Sequence, residues 1–248
     1  MVAVIWLVAF AIGGAIAVAK AVKKAGEDRA PAAKVTGTYN VPARVKPWLP
    51  FFQKYGVAKG VPIDVALAFA YLETQFQPDA YNPEAGAIAS WAKKIATNPK
   101  RWAGNPDFEK AVEVHRLISS GEKTGKEIAL ADKGKPFSDK LWTFGSIGLM
   151  QSSRQSAEAA GYGASLPNAG LFDIETNIAA GVGEIAIWRS IMWKGRDPKS
   201  LTDEEWATVR AAYVMGGGNV AKYPEKAEEK RVLFRSALKF VRGQAASA

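Results

Sequence analysis

Helical periodicity organises most of this sequence and limits the folds that it can adopt. Apolar residues recur every three to four positions after Pro62, Asp173 and Thr202, each of which favours the start of a helix. Glycine or proline ends each of these stretches, and few segments alternate between polar and apolar residues at period two. We therefore predict a single, mainly α domain over residues 48–242, with one small hairpin near residues 141–149.

An uncharged apolar run precedes this domain. Residues 2–19 carry no charge and are long enough to span a bilayer as a helix, and lysines follow at positions 20, 23 and 24. We predict a membrane helix over residues 1–24 and a polar linker over 25–47. A cleaved signal peptide is the alternative, although no basic residues precede the apolar stretch.

Orientation and assembly of this apolar segment stay open on sequence grounds. The lysines would hold the rest of the chain in the cytoplasm of a cell that made it, unless the segment is a signal peptide or a phage particle carries the protein to the envelope. Small residues recur every four positions at Ala9, Gly13 and Ala17. Such spacing lets helices pack closely and allows a homo-oligomer, but alanine and glycine are also common in apolar helices.

Composition narrows the chemistry. The chain has no cysteine and a single histidine, His115, so it offers no thiol nucleophile and too few ligands for a zinc site built on cysteine and histidine. The net charge of +9 favours anionic partners such as anionic lipid or wall polymers. The sequence contains no stripe of lysine and arginine interleaved with aromatic residues, so nucleic acid is not expected as a specific partner. Catalysis, if present, is expected to use carboxylates.

Glu73 is the carboxylate that stands out. With Ala66 and Phe69 or Ala70 it falls at helical spacing, which places it on the apolar face of a helix that begins near Pro62 and ends before Pro78. Burial disfavours the charged form of a carboxylate, and a general acid that works near neutral pH needs this property. The alternative is a glutamate at a frayed helix end, turned to water.

Four segments, in order, resemble the SLT-type lytic transglycosylases of the lysozyme superfamily over about residues 46–225. Glu73-Thr-Gln-Phe-Gln-Pro-Asp-Ala is similar to Glu-Ser-x-Phe-x-Pro-x-Ala, and Gly145-Ser-Ile-Gly-Leu-Met-Gln to Gly-Ala-x-Gly-Leu-Met-Gln. Leu171-Phe-Asp-Ile-Glu-Thr-Asn-Ile-Ala-Ala-Gly resembles Leu-Phe-Asp-Pro-x-x-Asn-Ile-x-x-Gly. Ala212-Tyr-Val-Met-Gly-Gly-Gly-Asn-Val resembles Ala-Tyr-Asn-Ala-Gly-x-Gly-x-Val.

The chain departs from this pattern in three places. Thr74 stands where the family has serine, and Val214-Met215 replaces Asn-Ala in the last motif. The separation of Glu73 from Gly145 is much longer than is usual in the family, so residues 84–140 form an insertion. That insertion could extend the glycan groove, dock a partner or decorate the fold.

The resemblance implies an α+β lysozyme-like fold and an enzyme that cleaves peptidoglycan glycan strands in the cell envelope, on the periplasmic or wall side of the membrane. Glu73 would protonate the glycosidic oxygen between N-acetylmuramic acid and N-acetylglucosamine, then act as base while the muramyl 6-hydroxyl attacks C1 to form a 1,6-anhydro sugar. Tyr213 would hydrogen-bond Glu73, and Ser146, Met150 and Gln151 would line the groove. No metal or cofactor is implied.

Two other functions stay open at this point. A muramidase, which consumes water, needs a second carboxylate near the first, and Asp79 and Glu84 are the nearest in the sequence. A membrane-tethered structural or ejection-channel component with a degenerate lysozyme-like domain, carried with other phage-particle proteins, would need no intact site. Such a protein could also combine assembly in the envelope with opening of the wall.

Overall fold

The computed structural model describes residues 37–83, 145–161 and 168–244, with a few positions between 97 and 127. Its helices are α1 (Leu49–Lys59), α2 (Ile63–Thr74), α3 (Arg154–Ala159), α4 (Ile174–Met192), α5 (Asp203–Met215), α6 (Gly217–Lys222) and α7 (Pro224–Val241). Short 3-10 helices cover Ala43–Trp48, Asn168–Phe172 and Pro198–Ser200. The prediction of a mostly helical domain is confirmed.

Helix α2 is the centre of the core. Every residue from Val65 to Ala70 is buried, and the helix packs against α1 on one side and α7 on the other. Helices α4 and α5 pack against each other, while α4 also contacts α1 and α5 contacts α7. The small side chains of Ala66, Ala68 and Ala70 let the neighbouring helices pack closely around α2, which holds its last turn in place.

Side-chain caps fix where α4 and α5 begin. The Asp173 side chain accepts a hydrogen bond from the Thr176 amide at the start of α4. Thr202 and Glu205 form a reciprocal capping box at the start of α5, as the sequence predicts. The C-terminal end of α2 is set by Gln75, whose left-handed conformation, with a φ of 51°, ends the helix directly after Thr74.

Two short strands form the only sheet in the described part of the chain. β1 (Tyr81–Pro83) pairs antiparallel with β2 (Gly145–Ile147), with Tyr81 opposite Ile147 and Pro83 opposite Gly145. Of the predicted hairpin near residues 141–149, the first four residues lie outside the described part of the chain. β2 lies inside that range, and its described partner is β1, which precedes residues 84–140. The ribbon joins the two ends of the insertion.

The predicted membrane segment, residues 1–24, and most of residues 84–140, including His115, lie outside the described residues. Within the described ranges, no single helix has the length and apolar composition to cross a membrane. Two helical stretches, Ala43–Lys59 and Ile63–Thr74, meet such criteria only as a pair bent by 118°. The first of these overlaps the predicted linker, and its Val45 side chain is fully buried.

Candidate active site

Glu73 lies in the last turn of α2, where the sequence places it, and its side chain retains 17% of its exposure. Its partner is Arg210 of α5, whose guanidinium donates to the Glu73 Oε1 atom. The Arg210 guanidinium also lies over the rings of Phe69 and Tyr213, at 5.1 and 5.4 Å from their centroids. The carboxylate is therefore partly buried but paired with a cation that the sequence analysis missed.

The turn after β2 forms the wall beside Glu73. Gly148 has a φ of 73°, and a Cβ there would lie 2.5 Å from Asn177 Nδ2, so this position requires glycine. The Thr74 hydroxyl donates to the carbonyl of Leu149 at 2.9 Å, which ties the turn to the end of α2. Thr74, which stands where the resembling motif has serine, thus keeps a hydroxyl at this position.

Asn177 of α4 binds the turn after β2 through its side chain. Its Oδ1 atom accepts from the Met150 amide at 2.7 Å, and its Nδ2 donates to the carbonyls of Ile147 and Leu171 at 2.8 and 2.9 Å. The side chain is 1% exposed, and every hydrogen-bonding group on it is used. Asn177 thus connects its own motif, which begins at Leu171, to the motif that contains Met150.

Gln151 and Met150 take different roles. Gln151 adopts a φ of 49°, and its Nε2 donates to the carbonyls of Ala80 and Gly148 at 3.3 and 3.0 Å. The Met150 side chain is fully buried, in close contact with the position of Gly181. The prediction that Met150 lines the groove was therefore wrong: the residue packs in the core beneath it and offers its backbone oxygen.

Tyr213 contacts that oxygen. Its hydroxyl donates to the carbonyl of Met150 at 3.1 Å, and not to Glu73 as predicted. Burial, with the charge of Glu184 as the next contribution, raises the pKa of Tyr213 well above its usual value. The phenol is therefore a neutral hydrogen-bonding group throughout the range in which an enzyme of this kind would work.

A second carboxyl, Glu184 of α4, lies in the same region and was not singled out in the sequence. It forms hydrogen bonds with Ser156, Trp188 and Tyr213. Although part of the side chain is exposed, burial of its carboxyl raises the pKa of Glu184 to about 7, and the negative charge of Glu73 adds to the rise. An acidic residue within the apolar positions of a helix is the signal that could have identified it, as it identified Glu73.

These side chains surround one open cavity of about 320 Å³. Its wall includes Glu73, Glu184 and Arg210, with the predicted residues Ser146, Gln151 and Tyr213. The lining is mostly polar, with hydroxyl, amide and carboxyl groups that suit a sugar better than an apolar ligand. Asp79 is exposed and does not line the cavity, while Glu84 lies outside the described residues.

Within the described ranges, no group of three or more acidic or histidine side chains is placed to hold a metal ion. The chemistry available from the described side chains is thus proton transfer between carboxyls and the oxygens of a bound sugar, helped by one guanidinium and one phenol.

Comparison with known families gives an independent result. The family described as Transglycosylase SLT domain matches residues 50–232, a range that contains all four sequence motifs and both strands of the ribbon. No curated protein and no solved structure matches the chain. Since the match covers well over half of the sequence and includes Glu73 and the walls of the cavity, the chain belongs to the transglycosylase SLT domain family.

Proposed function

We propose that this protein is a peptidoglycan lytic transglycosylase that cleaves the β-1,4 bond between N-acetylmuramic acid and N-acetylglucosamine and leaves a 1,6-anhydro end. The observation that supports this most directly is the position of Glu73 on the wall of the polar cavity, beside the Ser146–Gln151 turn, in a member of this family.

The reaction needs one group that gives and then takes a proton. Glu73 protonates the glycosidic oxygen as the bond to C1 breaks, and its carboxylate then accepts the proton of the muramyl 6-hydroxyl as that oxygen bonds to C1. Arg210 and the Thr74–Leu149 contact fix the end of α2, so the carboxyl has a defined position relative to the turn. Water is not consumed.

The chemical structure of the released muropeptides tests this proposed reaction. We would digest purified peptidoglycan with the full-length protein and determine the muropeptides by mass spectrometry. Anhydro ends are expected from the wild type, and Glu73→Gln should lose at least about 100-fold in rate because it cannot carry the proton. Glu229→Gln, which removes an exposed carboxylate from α7, is the matched control and should act like the wild type. Anhydro ends from Glu73→Gln at the wild-type rate would refute the assignment of Glu73.

A muramidase is the second candidate, and Glu184 is the observation that favours it. Retaining hydrolases place a second carboxyl about 5 Å from the first, and inverting ones roughly 6.5–9.5 Å away; Glu184 shares the cavity of Glu73. Digestion in ¹⁸O-labelled water separates the two reactions. Label in the new reducing ends would establish hydrolysis, whereas anhydro ends would contain none.

We also propose that residues 2–19 anchor the domain to a membrane in the cell envelope, on the periplasmic side that faces the wall, and that a phage particle carries it there for genome entry. The uncharged run, the lysines behind it and the net charge of +9 support the membrane anchor. The lysines favour a cytoplasmic domain in a cell that made the protein, and delivery by a phage particle would instead place the domain on the wall side. Flotation of the full-length protein with anionic vesicles tests the anchor, and its loss on replacing Leu7 and Phe10 by lysine is expected. A full-length protein that stays soluble without vesicles would refute it.

Assembly is tested separately from activity. Cross-linking of the full-length protein in vesicles should give oligomers that Gly13→Leu removes, if the small residues of the apolar run bring helices together. No digestion products from any wall tested, together with oligomers that Gly13→Leu abolishes, would favour the structural or ejection-channel component over the enzyme.

A further inference from the structure

Two carboxyls share one cavity in this protein, but only one of them has a cation. Arg210 donates to Glu73, while the hydrogen-bonding partners of Glu184 are Ser156, Trp188 and Tyr213, all of them uncharged. The charged or titratable groups that line the cavity beside Glu184 are Glu73 of α2 and Arg210 and Tyr213 of α5; α3 and α6 contribute no charged residue to the described lining. The two glutamates therefore lie in opposite electrostatic environments.

Close packing holds Glu184 in this position. A Cβ at Gly183 would lie 2.5 Å from the Cβ of Ala160 behind α3, and one at Gly181 would lie 2.4 Å from Met150 Cβ. These glycines let α4 approach both neighbours, which brings the Glu184 carboxyl beside Ser156 and Tyr213. The carboxyl is placed by backbone packing and does not depend on a flexible surface contact.

Two opposing effects act on the Glu184 carboxyl. Burial without a cation, together with the negative charge of Glu73, favours the acid form. The hydrogen bonds of Glu184 with Ser156, Trp188 and Tyr213 favour the charged form and lower the pKa. Burial is the larger effect, so the pKa of Glu184 is raised to about 7.

We propose that Glu184 is a proton-holding residue of this active site, which keeps one exchangeable proton beside Glu73 for the cleavage step. It acts through Glu73, and this inference rests on the proposed function. Carboxyl pairs whose surroundings favour opposite protonation states divide the acid and base forms between them. Here Glu73 is paired with a guanidinium, whereas Glu184 has no cation among its partners and its burial favours the acid form.

Every proton in the cleavage step is accounted for. The proton of Glu184 passes across the cavity to the Glu73 carboxylate and from there to the glycosidic oxygen, as the C1–O bond breaks. The muramyl 6-oxygen bonds to C1 and gives its proton to Glu73. Return of this proton to Glu184 restores the resting pair, so no net proton and no water are consumed.

The test is the pH dependence of kcat/KM for the full-length protein on soluble glycan strands. With Glu184 present, the pair retains one proton up to about pH 7, and activity should fall only above that value. In Glu184→Gln the carboxylate paired with Arg210 must take its proton directly from solvent. We expect the variant to match the wild type within about threefold near pH 5 and to be at least about tenfold slower near pH 7.5.

A structural role would lower the rate of Glu184→Gln by the same factor at every pH, so parallel profiles would overturn the proposal. Glu229→Gln should follow the wild type throughout. A muramyl oligosaccharide with an aryl leaving group gives a second readout, because a phenolate leaves without a proton. The pH-dependent deficit of Glu184→Gln should disappear on this substrate, and its persistence would also argue against the proposal.

Carboxyl ¹³C titration of glutamate-labelled wild type by NMR tests the proton itself without a rate. One glutamate is expected to titrate near pH 7 and to be absent from the spectrum of Glu184→Gln. If the wild type forms no anhydro ends but shows this resonance, the proposed function is refuted, while the assignment of a protonated Glu184 still holds. An active wild type in which no glutamate titrates above about pH 5.5 would remove only the inference.

Discussion

Replacing Asn177 by alanine should destabilise the fold and loosen the turn that carries Gln151. The change removes three hydrogen bonds of 2.7–2.9 Å and leaves the Met150 amide and the carbonyls of Ile147 and Leu171 without these partners. A neutral hydrogen bond contributes about 0.5–1.5 kcal/mol net, so three contribute about 1.5–4.5 kcal/mol in total. The Ile147 carbonyl still accepts from the Ser152 amide. Because Asn177 is 1% exposed, we expect a loss in the upper half of that total, about 3–4.5 kcal/mol.

For a chain of this length that loss corresponds to a fall in Tm of about 6–18 °C. Differential scanning calorimetry measures it, and hydrogen exchange at the Met150 amide shows whether the turn is the part that loosens. Asn177→Asp keeps the acceptor but loses both donors, so it should be almost as destabilising. Asn40→Ala, at an exposed position, is the control and should leave Tm unchanged.

A Tm within about 3 °C of the wild type, with unchanged exchange at Met150, would refute this reasoning. It would mean that Thr74 and the β1–β2 ribbon are sufficient to hold the turn, and that the three hydrogen bonds of Asn177 are replaced without cost.

Three further expectations concern stability. Arg210→Met should cost about 3 kcal/mol in urea unfolding, because it leaves Glu73 partly buried without its cation, and Glu73→Gln in the same chain should recover part of that loss in a double-mutant cycle. Gly181→Ala should lose about 1–3 kcal/mol by thermal unfolding, since its Cβ would lie 2.4 Å from Met150 Cβ. The folded-state pKa of Glu184, about 7, lies above the ordinary 4.5, so its favourable contribution is complete below about pH 4.5 and lost as pH rises through 7. Glu184→Gln lacks this loss, and its stability relative to the wild type should rise by about 3 kcal/mol between pH 4 and 8, a difference that urea unfolding at the two pH values would measure.

Features that depend on neighbours in the sequence were predictable. The position of Glu73 at the end of a helix follows from Pro62, the apolar spacing and Pro78. Asp173 and the Thr202–Glu205 box cap helices as predicted, because capping needs only residues one to three positions apart.

Contacts between distant residues were not predictable in the same way. Arg210 lies 137 positions from Glu73, and nothing in its sequence neighbourhood distinguishes it from other polar residues of a helix. Glu184 falls among the apolar positions of α4, and its place in the site depends on α2 and α5, which supply other walls of the same cavity. β1 was missed because Asn82 and Pro83 disfavour strands; its pairing with β2 is a tertiary contact.

The β1–β2 ribbon has a consequence for how this domain can vary. Pro83 and Gly145 are register partners, so the chain leaves and re-enters the domain at the same place. The entropy of closing a loop grows only with the logarithm of its length, and shortening residues 84–144 to a four-residue turn would change it by only about 2 kcal/mol. The intervening segment can therefore lengthen, shrink or be exchanged during evolution or by design while Glu73 keeps its position relative to the Gln151 turn.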